Sequence, residues 1–201
     1  MRDFLVDNEN EQIDTLAPEL RPVLRNLFPR SKHGIRERNI EKQKQGIDLY
    51  VITPGQLTVT LDFKFRSGVY NDFCLEWGHC DYDGNDRVKG WVNDPKKIND
   101  FIAYVFKPVW SCWLLPRQAL FNAWQKYEDT WKEAYGYQTT ENTSYITWWT
   151  AVPIEVICGT VRGISWADQK RTTIAPMVHS ETCVCWECLG KLQAWVVESR
   201  L

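Results

Sequence analysis

The chain has 201 residues, with 24 Lys and Arg against 26 Asp and Glu and a formal net charge of −2. That length buries a sizeable core in one domain with extensions, and the balanced charge excludes overall basicity as an argument for a polyanionic partner. No basic start leads into an apolar run and no stretch approaches a membrane span, so neither secretion nor a transmembrane segment is expected, and the expected location is cytoplasmic.

Seven Cys, an odd number, point to reduced thiols or a metal site over a disulfide framework. Eleven Trp are a heavy load, read first as core and surface anchors and second as platforms for bases.

In chain order, residues 1–16 are polar and acidic and read as an arm. A short helix is predicted over 18–27, with Leu20, Val23, Leu24 and Leu27 on one face. From Arg21 to Gln45, eight Lys or Arg face only Glu37 and Glu41, a stripe that suits a phosphate backbone or a solvated helix face. Ile35 to Gln45 has no breaker and ends at Gly46, which predicts a second helix. Strands follow at 47–53 and 57–65 around Pro54-Gly55-Gln56, then at 70–77, with a Gly- and Asp-rich loop over 78–95. Residues 101–115 read as two buried strands broken at Lys107-Pro108. A helix over 116–135 carries Leu120, Trp124, Tyr127 and Trp131 on a shared face. One more strand and a short closing element occupy 144–157. The expected organisation is an arm and short helix (1–30), an α/β core on a mixed sheet (31–158) and a Cys-bearing extension (159–201).

The hairpin carries an unusual load. Centring its loop on Gly55 sets Thr53 opposite Leu57, Val51 opposite Val59 and Asp48 opposite Asp62. Opposed residues share a face with Cβ atoms about 4.5–5.5 Å apart, so two carboxylates there repel unless a cation lies between them. Period-2 alternation places Lys64 and Arg66 on the face of Asp62, and Leu57, Val59, Leu61, Phe63 and Phe65 on the other. A hard divalent ion resolves the repulsion, because Mg²⁺ takes one or two carboxylates plus water and phosphate oxygens. Glu37 and Glu41 are expected as i,i+4 neighbours on the preceding helix, Glu41 nearer the cluster; pairing with Arg38, Lys42 or Lys44 is the other reading. Glu76 reads either as a neighbour of the cluster or as an edge acid, and Trp91 as a loop anchor or a stacking surface.

Glu41, Asp48 and Asp62-Phe63-Lys64, in the order helix, Gly, strand, hairpin, strand, resemble the active-site signature of the PD-(D/E)XK nuclease superfamily. That group includes restriction endonucleases, Holliday-junction resolvases and phage exonucleases. The string Glu41-x-Gln43-x-x-Gly46-Ile47-Asp48 is similar to small phage and bacterial members, with Ile47 where the family name expects Pro. The resemblance implies a restriction-endonuclease-like mixed β-sheet flanked by helices. It implies that Asp48, Asp62 and the backbone carbonyl of Phe63 hold Mg²⁺ or Mn²⁺, and that Lys64 orients the attacking water. Glu41 would bind a second metal or position water. Arg36, Arg38, Lys42, Lys44 and Arg66 become the expected nucleic-acid contacts. The implied activity is Mg²⁺-dependent phosphodiester hydrolysis, in DNA first and RNA second, in phage-encoded DNA processing or host conflict, with a homodimer an option. The alternative is a nuclease-fold protein that binds nucleic acid or protein, as an inhibitor or structural partner, without cutting.

Near the C-terminus His179, Cys183, Cys185 and Cys188 supply four soft ligands, read either as a Zn²⁺ site or as free thiols. Cys74, Cys112 and Cys158 are expected as core residues of apolar strands.

Overall fold

The computed structural model describes residues 20–28, 33–53, 57–82 and 87–169. The acidic arm, the hairpin tip at 54–56, the acidic loop at 83–86 and the His179, Cys183, Cys185 and Cys188 cluster lie outside the described residues. What is described is a mixed α/β structure.

The apolar run "FIAYVF" sets the centre. All its residues are buried in strand β6 (Phe101–Phe106), as a strand covered on both faces requires. Before it in the chain come helix α1 (Leu20–Leu27), strand β1 (His33–Arg36), helix α2 (Ile40–Lys44) and strands β2 (Leu49–Ile52) and β3 (Thr58–Arg66), followed by β4 (Asp72–Asp81) and β5 (Val88–Lys89). After it come a 3₁₀ turn (Lys107–Val109), β7 (Ser111–Pro116), helix α3 (Arg117–Tyr135), β8 (Gln138–Glu141), β9 (Tyr145–Pro153) and helix α4 (Ile154–Gln169). A five-stranded sheet runs in the order β1-β2-β3-β6-β7 and a four-stranded sheet in the order β5-β4-β9-β8. The first is mixed, because β3 and β6 pair in parallel, Asp62 beside Ile102 and Lys64 beside Tyr104, while its other pairs are antiparallel. Between β3 and β6 the chain leaves the first sheet to build β4 and β5 of the second.

Alternation on the strands divides the core in two. Leu61 and Phe63 of β3, with Leu49 and Val51, pack on Leu20 and Val23 of α1. On the other face Ile102, Tyr104 and Phe106 of β6 meet Phe73 and Leu75 of β4 and Leu120, Trp124 and Trp131 of α3. The Tyr104 hydroxyl accepts from the Cys74 amide at 2.8 Å, tying the two sheets together, and burial pushes the phenol up to about 12. Among the described residues no helix is long and apolar enough to cross a membrane.

The hairpin, the two strands broken at Lys107-Pro108 and the long helix with its Leu120, Trp124, Tyr127 and Trp131 face match the sequence reading. Three expectations are corrected. The helix predicted over 35–45 is an edge strand followed by one short turn of helix. Ile35 pairs with Tyr50 in β1, and α2 starts only after Asn39, whose side chain accepts from the Glu41 amide at 2.9 Å. Strand β4 runs on to Asp81 through a bulge between Glu76 and Gly78, and Val88–Lys89 adds a further short strand where a loop was expected over 78–95. The short closing element is the 16-residue α4, which passes through 158–159 without a break, so Cys158 is helical.

Gly90 returns the chain to β4 so closely that a Cβ would overlap the backbone of Glu76 and Trp77. Because backbone cannot swing aside as a side chain does, Gly90→Ala is expected to destabilise the fold by about 2 kcal/mol or more in urea unfolding, with an unchanged m-value.

Candidate functional site

The observed register is the one the loop centre dictates. Val51 pairs with Val59 and Leu49 with Leu61, and the Thr53 amide donates to the Leu57 carbonyl at 3.0 Å. One step further toward α2, the Asp48 amide donates to the Leu61 carbonyl at 2.8 Å, and the Phe63 amide donates to Asp48 Oδ2 at 2.8 Å. The paired register of β2 and β3 ends at Leu49 and Leu61, and Asp48 lies one residue ahead of β2, its carboxylate turned onto the Asp62-Phe63 peptide.

Asp62 is only 2% exposed. Its Oδ1 accepts from Lys64 Nζ at 2.7 Å, while Oδ2 is buried with no hydrogen-bond partner among the described residues. An oxygen left so is costly, and native structures seldom carry one without a reason. Lys64 lies at the border of cluster and solvent, a quarter exposed, with Nζ 5.8 Å from the centre of the Trp91 ring.

Two further cations belong here that sequence reasoning missed. Arg117, the first residue of α3, is buried, and its Nη2 donates to the Asp94 carbonyl at 2.6 Å. Burial pushes its guanidinium down, against the pull of Asp62 and Asp94. Lys97 reaches the cluster across Gly46. A Cβ at Gly46 would stand 2.6 Å from Asn99 Oδ1 and 3.0 Å from Lys97 Cδ, and the residue's φ of +83° suits glycine in any case. Burial lowers the Lys97 pKa, the Lys64 charge adds to that, and Asp62, Asp48 and Asp94 oppose it. The segment 91–100 has no helical or strand period, so nothing in the sequence aimed these side chains at the aspartates. The one available signal was the Asp94-Pro95 turn directly ahead of two lysines.

The remaining predicted residues are placed apart. The Glu41 side chain is 69% exposed and pairs with Lys44 at 2.9 Å. Glu37 precedes the helix instead of sharing a face with Glu41. It accepts from the Tyr50 hydroxyl at 2.6 Å and from the Asn39 amide at 2.7 Å. Among the described residues no three His, Cys, Asp or Glu side chains gather as a metal group, so the two aspartates stand without Glu41. The basic residues do not form one helix face: Arg36 is on β1, Arg38 in the link, and Lys42 and Lys44 on α2. Arg66 points between the sheets, 3.6 Å from Asp72 and 4.5 Å over the Tyr70 ring. Trp91 is a buried anchor, as its first reading held, that also borders Lys64. Glu76 lies in the cleft beyond Lys64, its carboxylate 3.6 Å from His79 Nδ1.

No family model, curated protein or solved structure matches the chain. The donor set itself suits a hard cation: the carboxylate of Asp62 on β3, with an unsatisfied buried oxygen among the described residues, and that of Asp48 just ahead of β2.

Because the folded Lys97 binds its proton less tightly than the unfolded chain, the wild type should gain stability as pH rises from that lowered value toward 10.5. Lys97→Met, which keeps the stem and removes the charge, should lack that slope and be stabler at pH 7 by about 1 kcal/mol in thermal unfolding; a loss of stability would show that pairing with the aspartates outweighs burial. The Tyr50 hydrogen bond, the largest influence on Glu37, holds that carboxyl below its ordinary 4.5, so the bond's contribution is complete above that pH and lost as pH falls through the lowered value. In an NMR titration Tyr50→Phe should move the Glu37 midpoint upward; an unmoved midpoint refutes the assignment.

Proposed function

We propose that the chain is a metal-dependent nuclease of the restriction-endonuclease-like kind, hydrolysing phosphodiester bonds in DNA. The observation that carries the reading is the buried Asp62: one oxygen on Lys64, the other unsatisfied among the described residues, with the Asp48 carboxylate on the next peptide amide, that of Phe63. Asp48, Asp62 and the Phe63 carbonyl would hold Mg²⁺ or Mn²⁺. The ion, when bound, lowers the pKa of a coordinated water and offsets charge on the scissile phosphate.

The chain's own residues do the remaining work. Lys64, anchored by Asp62 and facing the cleft, pairs with a non-bridging phosphate oxygen and with the negative charge that grows on it during attack. Lys97 and Arg117 place two positive charges close enough to interact with Asp62, which offsets part of the cost of burying a carboxylate ligand. Trp91 and the surrounding core bury one flank of the site, which strengthens the attractions made there, while Lys64 keeps its contact with the cleft. Arg66 extends the positive line along β3, and Arg36, Arg38, Lys42 and Lys44 remain candidate backbone contacts on the β1–α2 side. A role in phage-encoded DNA processing or host conflict, and a homodimer, belong to the same proposal.

A second reading has its own support. Lys64 closes directly on Asp62, and no third ligand gathers among the described residues. A protein with the same site that binds DNA without cutting it fits those two facts.

The two readings separate in one assay. Plasmid and linear DNA incubated with Mg²⁺ should be cut, EDTA should stop the reaction, and Asp62→Asn and Lys64→Ala should each slow it by about 10²-fold or more. Equal behaviour of wild type and both variants removes the nuclease reading, and DNA retained intact leaves the binding one.

A further inference from the structure

Beyond Lys64 the two sheets part to form a cleft of about 460 Å³. Its walls come from β3 (Lys64, Arg66), β4 (Glu76), β9 (Tyr145, Trp149) and Trp91, so it shares Lys64 with the aspartate cluster and otherwise uses residues the proposed chemistry leaves idle. The volume lies in the range that encloses a compound of drug size, roughly 300–1,000 Å³, which fits one nucleoside and excludes a double helix.

The lining carries both signs of charge. The Lys64 ammonium and the Arg66 guanidinium line it, the latter 4.5 Å from the Tyr70 ring centre and 5.9 Å from that of Trp149. Glu76, the cross-strand partner of Trp149, adds a carboxylate, which repels a phosphate but accepts from amino and imino groups of a base. The Trp149 ring is fixed, its Nε1 donating to Thr140 Oγ1 at 2.9 Å. An indole held in place beside a cation presents a stacking surface already in its bound form. Side chains of Thr147 and Asn142, bonded to each other at 3.1 Å, add polar edges.

From this we infer that the cleft receives an unpaired base of the strand whose phosphate sits at Lys64, so that the substrate class is single-stranded DNA or the frayed end of a duplex. The inference rests on the nuclease reading for the position of the phosphate. The base enters the cleft against the Trp149 ring, beside the Glu76 carboxylate, and an intact duplex cannot supply it without breaking a pair.

The test is binding by fluorescence anisotropy, in EDTA so that no strand is cut, of a labelled 12-nucleotide single strand and of the blunt duplex of the same sequence. Wild type should bind the single strand at least 10-fold tighter than the duplex. Trp149→Ala should lose about 10-fold on the single strand alone, and Trp149→Phe should keep most of the affinity. Should the alanine variant fail to fold, a strand bearing 5-iododeoxyuridine can be photocrosslinked to wild type and the adducts mapped, with Trp149, Tyr145 or Trp91 expected. Equal affinity for both forms, an equal loss on both with Trp149→Ala, or adducts only outside the cleft overturns the inference. Cleavage with Mg²⁺ is scored separately. Duplex and single strand cut at equal rates would sink this inference and spare the nuclease, whereas tight single-strand binding without cleavage would do the reverse.

Discussion

The structure turns on a carboxylate held where carboxylates are rarely found. Asp62 occupies a central strand between β2 and β6, all but sealed from water, with Lys64 on one oxygen and no hydrogen-bond partner on the other among the described residues. A buried carboxylate needs positive charge close by to offset its desolvation. Lys64, Lys97 and Arg117 come from β3, an irregular segment and α3, and burial carries its own desolvation cost for Lys97 and Arg117. A site arranged for stability alone would place an apolar residue at 62 and dispense with all three. Under the nuclease proposal, an ion and a phosphate would complete the charge pattern.

The sheets explain how that charge is kept beside a space large enough for a ligand. On β3 the odd-numbered residues feed the core under α1, which frees Asp62, Lys64 and Arg66 to face the second sheet. Tyr104 spans the gap through its bond to the Cys74 amide, and Trp91 fills the floor, so the sheets stay joined at one side of Lys64 and open at the other. Polar work and packing are thus assigned to opposite faces of one strand. Period-2 geometry does this without any special loop.

That division is why the hairpin was legible. Alternation and a three-residue loop fix the register, and the register fixes which residues face each other, so Asp62 and Lys64 could be placed from the letters alone, while Asp48 lies one residue before the paired part of β2. The central strands and the long helix were equally open, since "FIAYVFKPVWSCWLL" and the Leu120–Trp124–Trp131 face carry strong apolar patterns. Edge strands were the hardest to read. Strands β1 and β8 each run for four residues at a sheet edge, β8 with polar, exposed side chains throughout, and no local pattern distinguishes them from helix or loop. Good helix formers around 35–45 were outweighed by pairing of Gly34 and Ile35 with β2 and by the Asn39 cap, which delays the helix. Lys97 and Arg117 were invisible because their role depends on where an irregular segment crosses Gly46 and where α3 begins, both consequences of tertiary packing.

The parallel pairing of β3 with β6 has an effect on how the molecule comes into being. Thr60 and Asp100, 40 residues apart, are locked together by the Asp100 carboxylate, which accepts from both the Thr60 amide and its hydroxyl at 2.8 Å. During synthesis the aspartate hairpin therefore emerges well ahead of the strand that covers it, with one apolar edge open to any passing chain. Such long-range closure folds slowly and leaves nascent protein prone to clumping. Assembly of the charged centre is accordingly a late event, and a half-made chain holds its acids on an unfinished ribbon.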